Sequence, residues 1–250
     1  MKLLLFDVDG TLCESGKKIS SDMACKLNEI IKNDTEIGIV GGGTYEKIMF
    51  QLNNSIYPHY IFSECGSVYH KFDFENKIYN LINKNNIRDE PEYKKINELV
   101  KICLEFISKV DYTISGHFID LRNGLIYVSL VGMIGTDQER EEFIKLDKIN
   151  FYREQLINSL QTKSRELGLN EYLDICLGGS VGIGIYPKKW NKTQVLNWID
   201  DVENIEIHFF GDKYLPNGND YELLSHKHIN PHPVDSYSDT LIELDKFLHI

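Results

Sequence analysis

The sequence predicts an α/β fold built on a parallel sheet, with an α+β unit inserted into the chain. Short apolar runs alternate with helical patterns in the first part of the 250 residues. This order favours parallel strands joined by crossover helices. The same alternation returns near Trp190 and leads to a strand at residues 205–210. Between these parts an Asn-Gly dipeptide separates two strand patterns. It indicates a β-hairpin, which a purely parallel sheet does not contain.

The N-terminal part is predicted to contain four strands and two helices. The first helix can be capped by Ser20 or Ser21, and its apolar residues recur at helical spacing. The second helix covers residues 45–52. The strands are short apolar runs, at residues 2–6, 37–40, 60–62 and 67–70.

The middle of the chain has a different pattern, in which polar segments separate helices and hairpins. The Asn- and Lys-rich segment 82–89 is predicted to be a linker, and Pro91 then opens a long amphipathic helix. Asn123 and Gly124 join a strand at 117–121 to one at 125–130. Two further helices and two strands follow, at residues 137–146, 151–167, 172–177 and 181–186.

These patterns predict two domains, one of which is discontinuous in sequence. The core domain is expected to comprise residues 1–81 and 190–250, because both segments show the α/β alternation. Its second segment begins with a predicted helix at residues 192–199. The inserted α+β domain, the cap, covers residues 82–189.

Composition excludes several classes of partner and site. The formal net charge is −11, so the chain lacks the positive surface that nucleic acids and anionic membranes require. The five cysteines are scattered, without a CxxC pair, which favours reduced thiols over disulfides or structural zinc. Asp7 interrupts the N-terminal apolar run, and no apolar stretch of about 18 residues follows. We therefore expect a soluble cytoplasmic protein with no nucleic-acid or membrane partner.

The first strand ends in two carboxylates, Asp7 and Asp9, followed by Gly10 and Thr11. Like charges at the end of a buried strand are unfavourable unless they are paired, and a divalent cation provides that pairing. Mg²⁺ prefers a few carboxylates together with water and phosphate oxygens. Gly10 allows a sharp turn, and Thr11 supplies a hydroxyl and an amide. The run predicts a Mg²⁺ and phosphoryl site; a strand followed by an Asx-rich turn is the alternative.

A third carboxylate, Asp212, directly follows the strand at residues 205–210. Ligands of open parallel sheets bind outside the carboxyl ends of the strands. Asp7, Asp9 and Asp212 are therefore expected to converge on one Mg²⁺, although they are far apart in sequence.

Two other segments can contact a phosphate group. Gly42, Gly43 and Thr44 follow the strand at residues 37–40. Glycines let a phosphate approach the backbone, whose amides at the next helix start can donate to it; an ordinary strand-to-helix turn is the alternative. Lys192, at the start of a predicted helix, could neutralise phosphoryl charge, or it could be an isolated surface lysine.

The run at residues 6–11 resembles motif I of the haloacid dehalogenase superfamily of aspartate-nucleophile phosphotransferases. The resemblance implies a Rossmann-like core in which Asp7 attacks phosphorus and forms an aspartyl-phosphate. Asp9 would act as general acid and base, and Lys192 would hold Asp7 and the phosphoryl group in line. Mg²⁺ would be held by Asp7, Asp212 and the main-chain carbonyl of Asp9. Water as acceptor gives a phosphatase, and a sugar hydroxyl gives a mutase.

Five motifs together resemble the eukaryotic-type phosphomannomutase family almost from end to end; they are residues 6–11, 38–42, 118–124, 190–192 and 211–220. The resemblance implies a Mg²⁺-dependent homodimer, joined through the cap, that interconverts mannose 6-phosphate and mannose 1-phosphate. A hexose 1,6-bisphosphate would prime the nucleophile. The resemblance also implies that Asp220 is a further metal-site residue, and that Arg122 and Arg140 of the cap hold the distal phosphate.

Several positions depart from the pattern of that family, mostly where it contacts the sugar. The departures are at Gly16, Gly43, Met133, Gly182, Gly184 and His226. Met133 replaces a third cap arginine, Gly182 and Gly184 replace a serine and an aspartate, and Gly43 replaces a hydroxyl residue. Two other functions therefore stay open. One is a phosphatase acting on a small phosphate ester. The other is a non-catalytic scaffold, which is the least favoured because a scaffold does not need acidic residues at separate strand ends.

Overall fold

The N-terminal apolar run forms strand β1 (Lys2–Phe6), whose residues from Leu3 to Phe6 are fully buried. A strand that is buried on both faces needs neighbours on both sides and cover above and below. β1 pairs in parallel with one strand on each side, so that Phe6 lies opposite Ile39 in one neighbour and Phe210 in the other. The prediction of a buried parallel strand is therefore confirmed.

The computed structural model describes residues 2–33, 35–216 and 218–248. Its strands are, in chain order, β1, β2 (Thr35–Val40), β3 (Tyr60–Ser63), β4 (Val68–Asp73), β5 (Ile78–Lys84), β6 (Ile119–Leu121), β7 (Ile126–Ser129), β8 (Leu173–Gly178), β9 (Gly182–Pro187), β10 (Glu206–Gly211) and β11 (Ile229–Pro233). Its helices are α1 (Ser21–Lys32), α2 (Tyr45–Leu52), α3 (Tyr93–Ile107), α4 (Asp137–Asn150), α5 (Tyr152–Glu166), α6 (Tyr221–Leu224) and α7 (Tyr237–Leu248). They divide between two compact units, the core unit (Met1–Asn85 with Trp190–Ile250) and the inserted unit (Asn86–Lys189).

The core unit contains a seven-stranded sheet in the order β11-β10-β1-β2-β3-β4-β5. The strands from β11 to β3 are parallel, whereas β4 and β5 are antiparallel at one edge. This mostly parallel sheet confirms the predicted α/β class. The chain leaves β1 toward β2 and β3 and later returns on the other side with β10 and β11. The strand order thus reverses at β1, and ligands of open α/β sheets bind outside the carboxyl ends of the strands at such a reversal.

The edge strand β5 corrects one prediction. Residues 82–89 were predicted to be a linker, but β5 extends to Lys84 and pairs with β4 at both of its ends, with a bulge at Ile82. Its apolar side chains Ile78, Leu81 and Ile82 are about half exposed, so the strand shows no alternation of buried and exposed residues. The core unit therefore extends past the predicted boundary at residue 81.

Two helices of the core unit, α1 and α2, begin at hydroxyl caps. Ser20 accepts a hydrogen bond from the amide of Met23 at 3.1 Å, in agreement with the predicted start of α1. Thr44 accepts one from the amide of Lys47 at 3.3 Å and so caps α2. The buried face of α1 packs on the sheet, and α1 also contacts α7. Within the described ranges, no helix combines the length and the apolar character needed to cross a bilayer.

The inserted unit is built on a separate antiparallel sheet in the order β6-β7-β9-β8, which confirms the predicted α+β insertion. The predicted Asn-Gly hairpin joins β6 to β7, and the amide of Arg122 donates to the carbonyl of Leu125 at 2.9 Å. One sheet face is buried through Val128 and Ile183, and α5 packs against β8 and β9. The predicted helix at residues 137–146 continues to Asn150, because the chain reverses only at the next residue, which has a left-handed backbone.

The cysteines provide a chemical test of this packing. Cys25 is exposed on α1, whereas Cys13 and Cys103 are buried, and burial raises the pKa of both buried thiols to about 12. At about pH 8, near the ordinary thiol pKa, iodoacetamide should alkylate Cys25 rapidly and the buried pair only after unfolding. Mass spectrometry before and after addition of guanidinium chloride measures this difference. Equal alkylation of Cys25 and Cys103 in the native protein would contradict the structure.

Candidate active site

The carboxyl ends of three adjacent strands form the centre of the site. Because Phe6 is in register with Ile39 and Phe210, the segments that follow β1, β2 and β10 leave the sheet side by side. The amide of Asp7 donates to the carbonyl of Phe210 at 2.9 Å, which extends the pairing by one residue. The main chain thereby fixes Asp7 at the sheet edge beside the loop after β10.

Three carboxylates meet at this edge, those of Asp7, Asp212 and Asp220, each with an oxygen within 4.8 Å of the others. Asp212 has one oxygen paired with Lys213, whereas its buried Oδ1 accepts no hydrogen bond from the described residues. A buried carboxylate oxygen without a donor is costly, and a hard divalent cation satisfies it. The residues present therefore fit the predicted Mg²⁺.

Lys192 connects two of these carboxylates and is fully buried. Its Nζ donates to Asp7 Oδ1 at 2.5 Å and to Asp220 Oδ1 at 2.6 Å. The second oxygen of Asp220 accepts from the amide of Lys213 at 2.9 Å. Asp220, predicted to belong to the metal site, thus already has both oxygens engaged, and its clearest role here is to anchor Lys192.

Gln194 fixes the turn that carries Lys192. The side chain of Asn191 caps a short 3-10 helix, Lys192–Trp198, by accepting from the amide of Thr193 at 2.9 Å. Buried Gln194 donates to the carbonyls of Cys65 and Trp190, both at 2.9 Å. These bonds hold the turn against the end of β3, so the ammonium of Lys192 has a defined position.

Burial and charge act against each other at this ion pair. Burial raises the pKa of Asp7 to about 7, with Lys192 lowering it and the neighbouring Asp220 and Asp212 raising it further. Burial also disfavours the charged form of Lys192, but the carboxylates of Asp220 and Asp7 outweigh this cost and raise its pKa. Burial likewise raises the pKa of Asp212. Three carboxyl groups face one buried ammonium here, so their ionised forms destabilise one another unless a further cation is bound.

Asp9 lies beside the carboxylate cluster and makes a different set of contacts. Its Oδ1 accepts from the amide of Gly16 and from Nε2 of Gln51, both at 2.8 Å, and its Oδ2 accepts from Nζ of Lys47 at 2.5 Å. Burial works against the Asp9 carboxylate, but the ion pair with Lys47 and the hydrogen bonds outweigh it and lower its pKa. Coordination of a cation through the main-chain carbonyl of Asp9 stays a prediction.

The glycine loop after β2 borders the site. A side chain at Gly42 would approach Cys65 Sγ at 3.8 Å and Asn219 Nδ2 at 3.9 Å, so this backbone lies close to the Asp220 loop. The hydroxyl of Thr44 accepts a hydrogen bond from the amide of Lys47, in the first turn of α2. A Cβ at Gly43 would lie 3.1 Å from Cδ of Lys47. Phosphate binding by Gly42, Gly43 and Thr44 stays a prediction.

Gly10 is required by close packing against a carboxylate. Its φ of +93° is a left-handed conformation, and a Cβ at this position would lie 2.4 Å from Oδ2 of Asp212. A side chain here would therefore displace Asp212. The segment of residues 6–11 thus carries Asp7 and Asp9, and its Gly10 also leaves room for Asp212, which follows β10.

The two arginines expected to bind the distal phosphate belong to the inserted unit. Arg122 donates to Asp120 at 2.7 Å, and its guanidinium lies 4.8 Å from the ring centre of Tyr127. Arg140 donates to the carbonyls of Gly135 at 3.0 Å and Met133 at 2.9 Å. Both guanidiniums have fixed orientations within this unit, and their role in binding stays a prediction.

Sequence reasoning missed three polar side chains around the site, Lys47, Gln51 and Gln194. A signal for the first two existed, because Lys47 and Gln51 are four residues apart on a helix that follows a glycine loop, and such residues share one helix face. Gln194 gave no comparable signal, since its partners are main-chain carbonyls distant in sequence.

Comparison with known proteins identifies the family of the chain. The profile described as eukaryotic phosphomannomutase matches residues 23–250. The chain belongs to the eukaryotic phosphomannomutase family. It is 35% identical over 241 residues to the phosphomannomutase of Dendrobium officinale, covering 95% of this chain and 90% of the relative. It is 36% identical over 242 residues to that of Arabidopsis thaliana, covering 96% and 93%.

This phosphomannomutase family member shares its haloacid dehalogenase fold with solved structures of low sequence identity. An N-terminally truncated, IMP-bound Plasmodium falciparum IMP-nucleotidase aligns with a TM-score of 0.68 at 17% identity, over 100% of this chain and 68% of that one. A trehalose-6-phosphate phosphatase related protein aligns with a TM-score of 0.57 at 15% identity, over 99% and 97%. These similarities establish the fold alone.

Replacing Lys192 by Met should destabilise this phosphomannomutase family member, because Asp7 and Asp220 would stay buried without their cation. Breaking a buried ion pair costs about 3–5 kcal/mol, measurable as a lower free energy of unfolding in urea. Lys109→Met is the control, since its ammonium pairs with Glu105 on the surface of α3, where the two side chains are 68% and 61% exposed. The control should cost under about 1 kcal/mol. Equal losses in the two variants would refute the central role of Lys192.

Proposed function

We propose that this chain is a Mg²⁺-dependent hexose phosphate mutase that interconverts mannose 6-phosphate and mannose 1-phosphate, or a related hexose phosphate pair. The proposal is carried by the buried contact of Asp7 with Lys192 in a member of the phosphomannomutase family. Close to this contact lies Oδ1 of Asp212, which accepts no hydrogen bond from the part of the chain that the structure describes. A carboxylate held by a buried cation next to a metal-type site is suited to attack on phosphorus.

The proposed reaction has two halves. In the first, a carboxylate oxygen of Asp7 forms a bond to phosphorus while the bond to the leaving sugar oxygen breaks, and Asp9 donates a proton to that oxygen. In the second, a sugar hydroxyl loses its proton to Asp9 and attacks the aspartyl-phosphate, which releases Asp7. The proton that Asp9 gives in one half is regained in the other.

Lys192 keeps Asp7 in line for attack and balances part of the charge on the phosphoryl oxygens. Asp7, Asp212 and the main-chain carbonyl of Asp9 would hold Mg²⁺, which when bound supplies further stabilisation of that developing charge. Asp220 keeps Lys192 oriented through its carboxylate.

We assign recognition of the sugar phosphate to the inserted unit, through Arg122 and Arg140. The same family membership supports a homodimer joined through this unit. Arg122 lies on the sheet face that also carries Tyr127, and register places Tyr127 directly opposite Gly184. A mutase must retain its hexose 1,6-bisphosphate between the two halves, so the fit of this face decides between mutation and hydrolysis.

A phosphatase is the second candidate, because this face has been altered at specific positions. A Cβ at Gly182 would lie 2.5 Å from the ring of Tyr127 and 2.5 Å from the carbonyl of Val128, so no side chain fits there. At Gly184 the nearest atoms, in Tyr186, are 3.7 Å away, which leaves room for one. The ring of Tyr127 therefore fills the space that a side chain at residue 182 would need, whereas residue 184 has room for one.

A single assay distinguishes the two candidates. The protein is incubated with Mg²⁺ and mannose 1-phosphate, with and without a hexose 1,6-bisphosphate, and free phosphate and hexose 6-phosphate are measured separately. A mutase forms hexose 6-phosphate and depends on the bisphosphate. Steady phosphate release that does not depend on the bisphosphate would favour the phosphatase and contradict the mutase.

Asp7→Asn should abolish both activities, because an amide is not a nucleophile toward phosphorus at neutral pH. The expected loss is at least about 10³-fold in kcat with the fold retained, as checked by circular dichroism. Turnover near that of the unsubstituted protein would refute the assignment of the nucleophile.

Met133→Arg combined with Gly184→Asp should raise turnover of mannose phosphates if loss of these groups weakened sugar binding. We expect a gain of about 10-fold in kcat/KM, since a hydrogen bond to a charged group contributes about 1.5–3 kcal/mol. Gly182→Ser serves as the control, because its side chain would collide with Tyr127 and should bring no gain. No gain from the double variant would mean that this face is built for another substrate.

A further inference from the structure

The carboxylate of Asp9 is held by donors from two different parts of the core unit. Gly16, in the loop after β1, and Gln51, on α2, both donate to Oδ1, and Lys47, one helical turn before Gln51, donates to Oδ2. A side chain with both oxygens bound from two directions keeps one rotamer, whereas a carboxylate on a loop is otherwise free to turn. Proton transfer requires that the group lie within hydrogen-bond reach of the reacting oxygen.

Helix α2 is itself rigidly placed. Thr44 caps its first turn, and Ile48 and Leu52 are buried in the core. Gln51 is also buried, and the carbonyl of this residue accepts from the amide of Ile19 at 2.9 Å. Gln51 therefore presents its donor to Asp9 from a buried position, and Lys47, whose side chain is 39% exposed, does so from the same helix face.

The glycine at position 43 provides the space for Lys47. A Cβ there would lie 3.1 Å from Cδ and 3.6 Å from Cγ of Lys47. A side chain at this position would therefore require the stem of Lys47, whose end reaches Asp9, to shift by a few tenths of an ångström. Because Gly43 has no side chain, the stem of Lys47 can pass close to it and reach Asp9.

We propose that Lys47 and Gln51 are positioning residues that hold Asp9 for proton transfer to and from the sugar oxygen, and that Gly43 leaves the space in which Lys47 does so. The inference rests on the proposed function and extends it to residues outside the carboxylate cluster. Neither residue forms or breaks a bond in the reaction; each acts through the orientation of Asp9.

The test compares two leaving groups in the first half-reaction. A sugar oxygen needs a proton as it leaves, whereas para-nitrophenolate leaves without one, so only the sugar reaction depends on the orientation of Asp9. Phosphorylation of Asp7 is measured in a single turnover with a hexose 1,6-bisphosphate and, separately, as the burst of para-nitrophenolate from para-nitrophenyl phosphate. The variants are Lys47→Met and Gln51→Met, with Asp9→Asn as the reference for complete loss.

Both variants should slow the sugar reaction by about 10-fold or more. This loss is a part of the roughly 10²–10⁴-fold that general acid catalysis contributes in total. The para-nitrophenolate burst should change by less than about 3-fold, as with Asp9→Asn. Lys47→Arg should recover most of the sugar reaction, and Gly43→Ala should lose a smaller part of it. Glu46→Gln, at an exposed position on the same helix, is the matched control and should leave both rates unchanged.

The outcomes separate the inference from the function. Equal slowing of both reactions by Lys47→Met and Gln51→Met, or no slowing of either, would overturn the positioning role while leaving the mutase or phosphatase intact. If the unsubstituted protein formed no phospho-Asp7 from either compound, the proposed function would fall, and this inference with it.

Discussion

The site depends on one interaction, the contact of the buried Lys192 ammonium with the carboxylates of Asp7 and Asp220. Removing these charges from water is expensive, and the pair is stable only because both carboxylates are within hydrogen-bond distance and the remaining oxygen of Asp220 is also satisfied. Asp212 adds a third carboxylate to the same cluster. The three carboxylates have two ammonium partners, the buried Lys192 and the exposed Lys213, so a bound divalent cation would balance the remaining negative charge.

The fold provides this arrangement through main-chain geometry. Parallel pairing of β1 with β2 and β10 places three chain segments at one sheet edge, and Gly10 allows the loop after β1 to approach Asp212. The inserted unit shows a separate organisation, in which side chains of one sheet face, such as Tyr127, fill the space that glycines leave. Under the proposed function, phosphoryl transfer belongs to the core unit and substrate recognition to the inserted unit, so sequence changes in one need not affect the other.

The sequence alone could predict the parts of the site that lie at the ends of strands. Asp7 and Asp212 end apolar runs, and a parallel sheet aligns the ends of its strands, so their proximity could be inferred without a structure. The contacts of Lys47 and Gln51 could not, because the direction in which a helix faces depends on packing between elements. Strand β5 was missed for another reason, since most of its side chains are exposed and only Tyr79 and Asn83 are partly buried, which gives no alternating pattern. The collision between Tyr127 and a side chain at residue 182 depends on strand register, which a single sequence does not reveal.

The position of the inserted unit in the sequence constrains how the protein can be made on a ribosome. β1 needs β10 as a neighbour, and roughly 100 residues of the inserted unit separate the N-terminal strands of the sheet from β10. During synthesis one side of β1 stays unpaired, and Asp7 lacks Lys192, until the C-terminal part of the chain has emerged. The inserted unit is continuous in sequence and can fold before that happens. A chain released early would therefore carry a folded insert and an apolar strand, β1, with one edge unpaired, and an unpaired edge of this kind favours pairing with other chains.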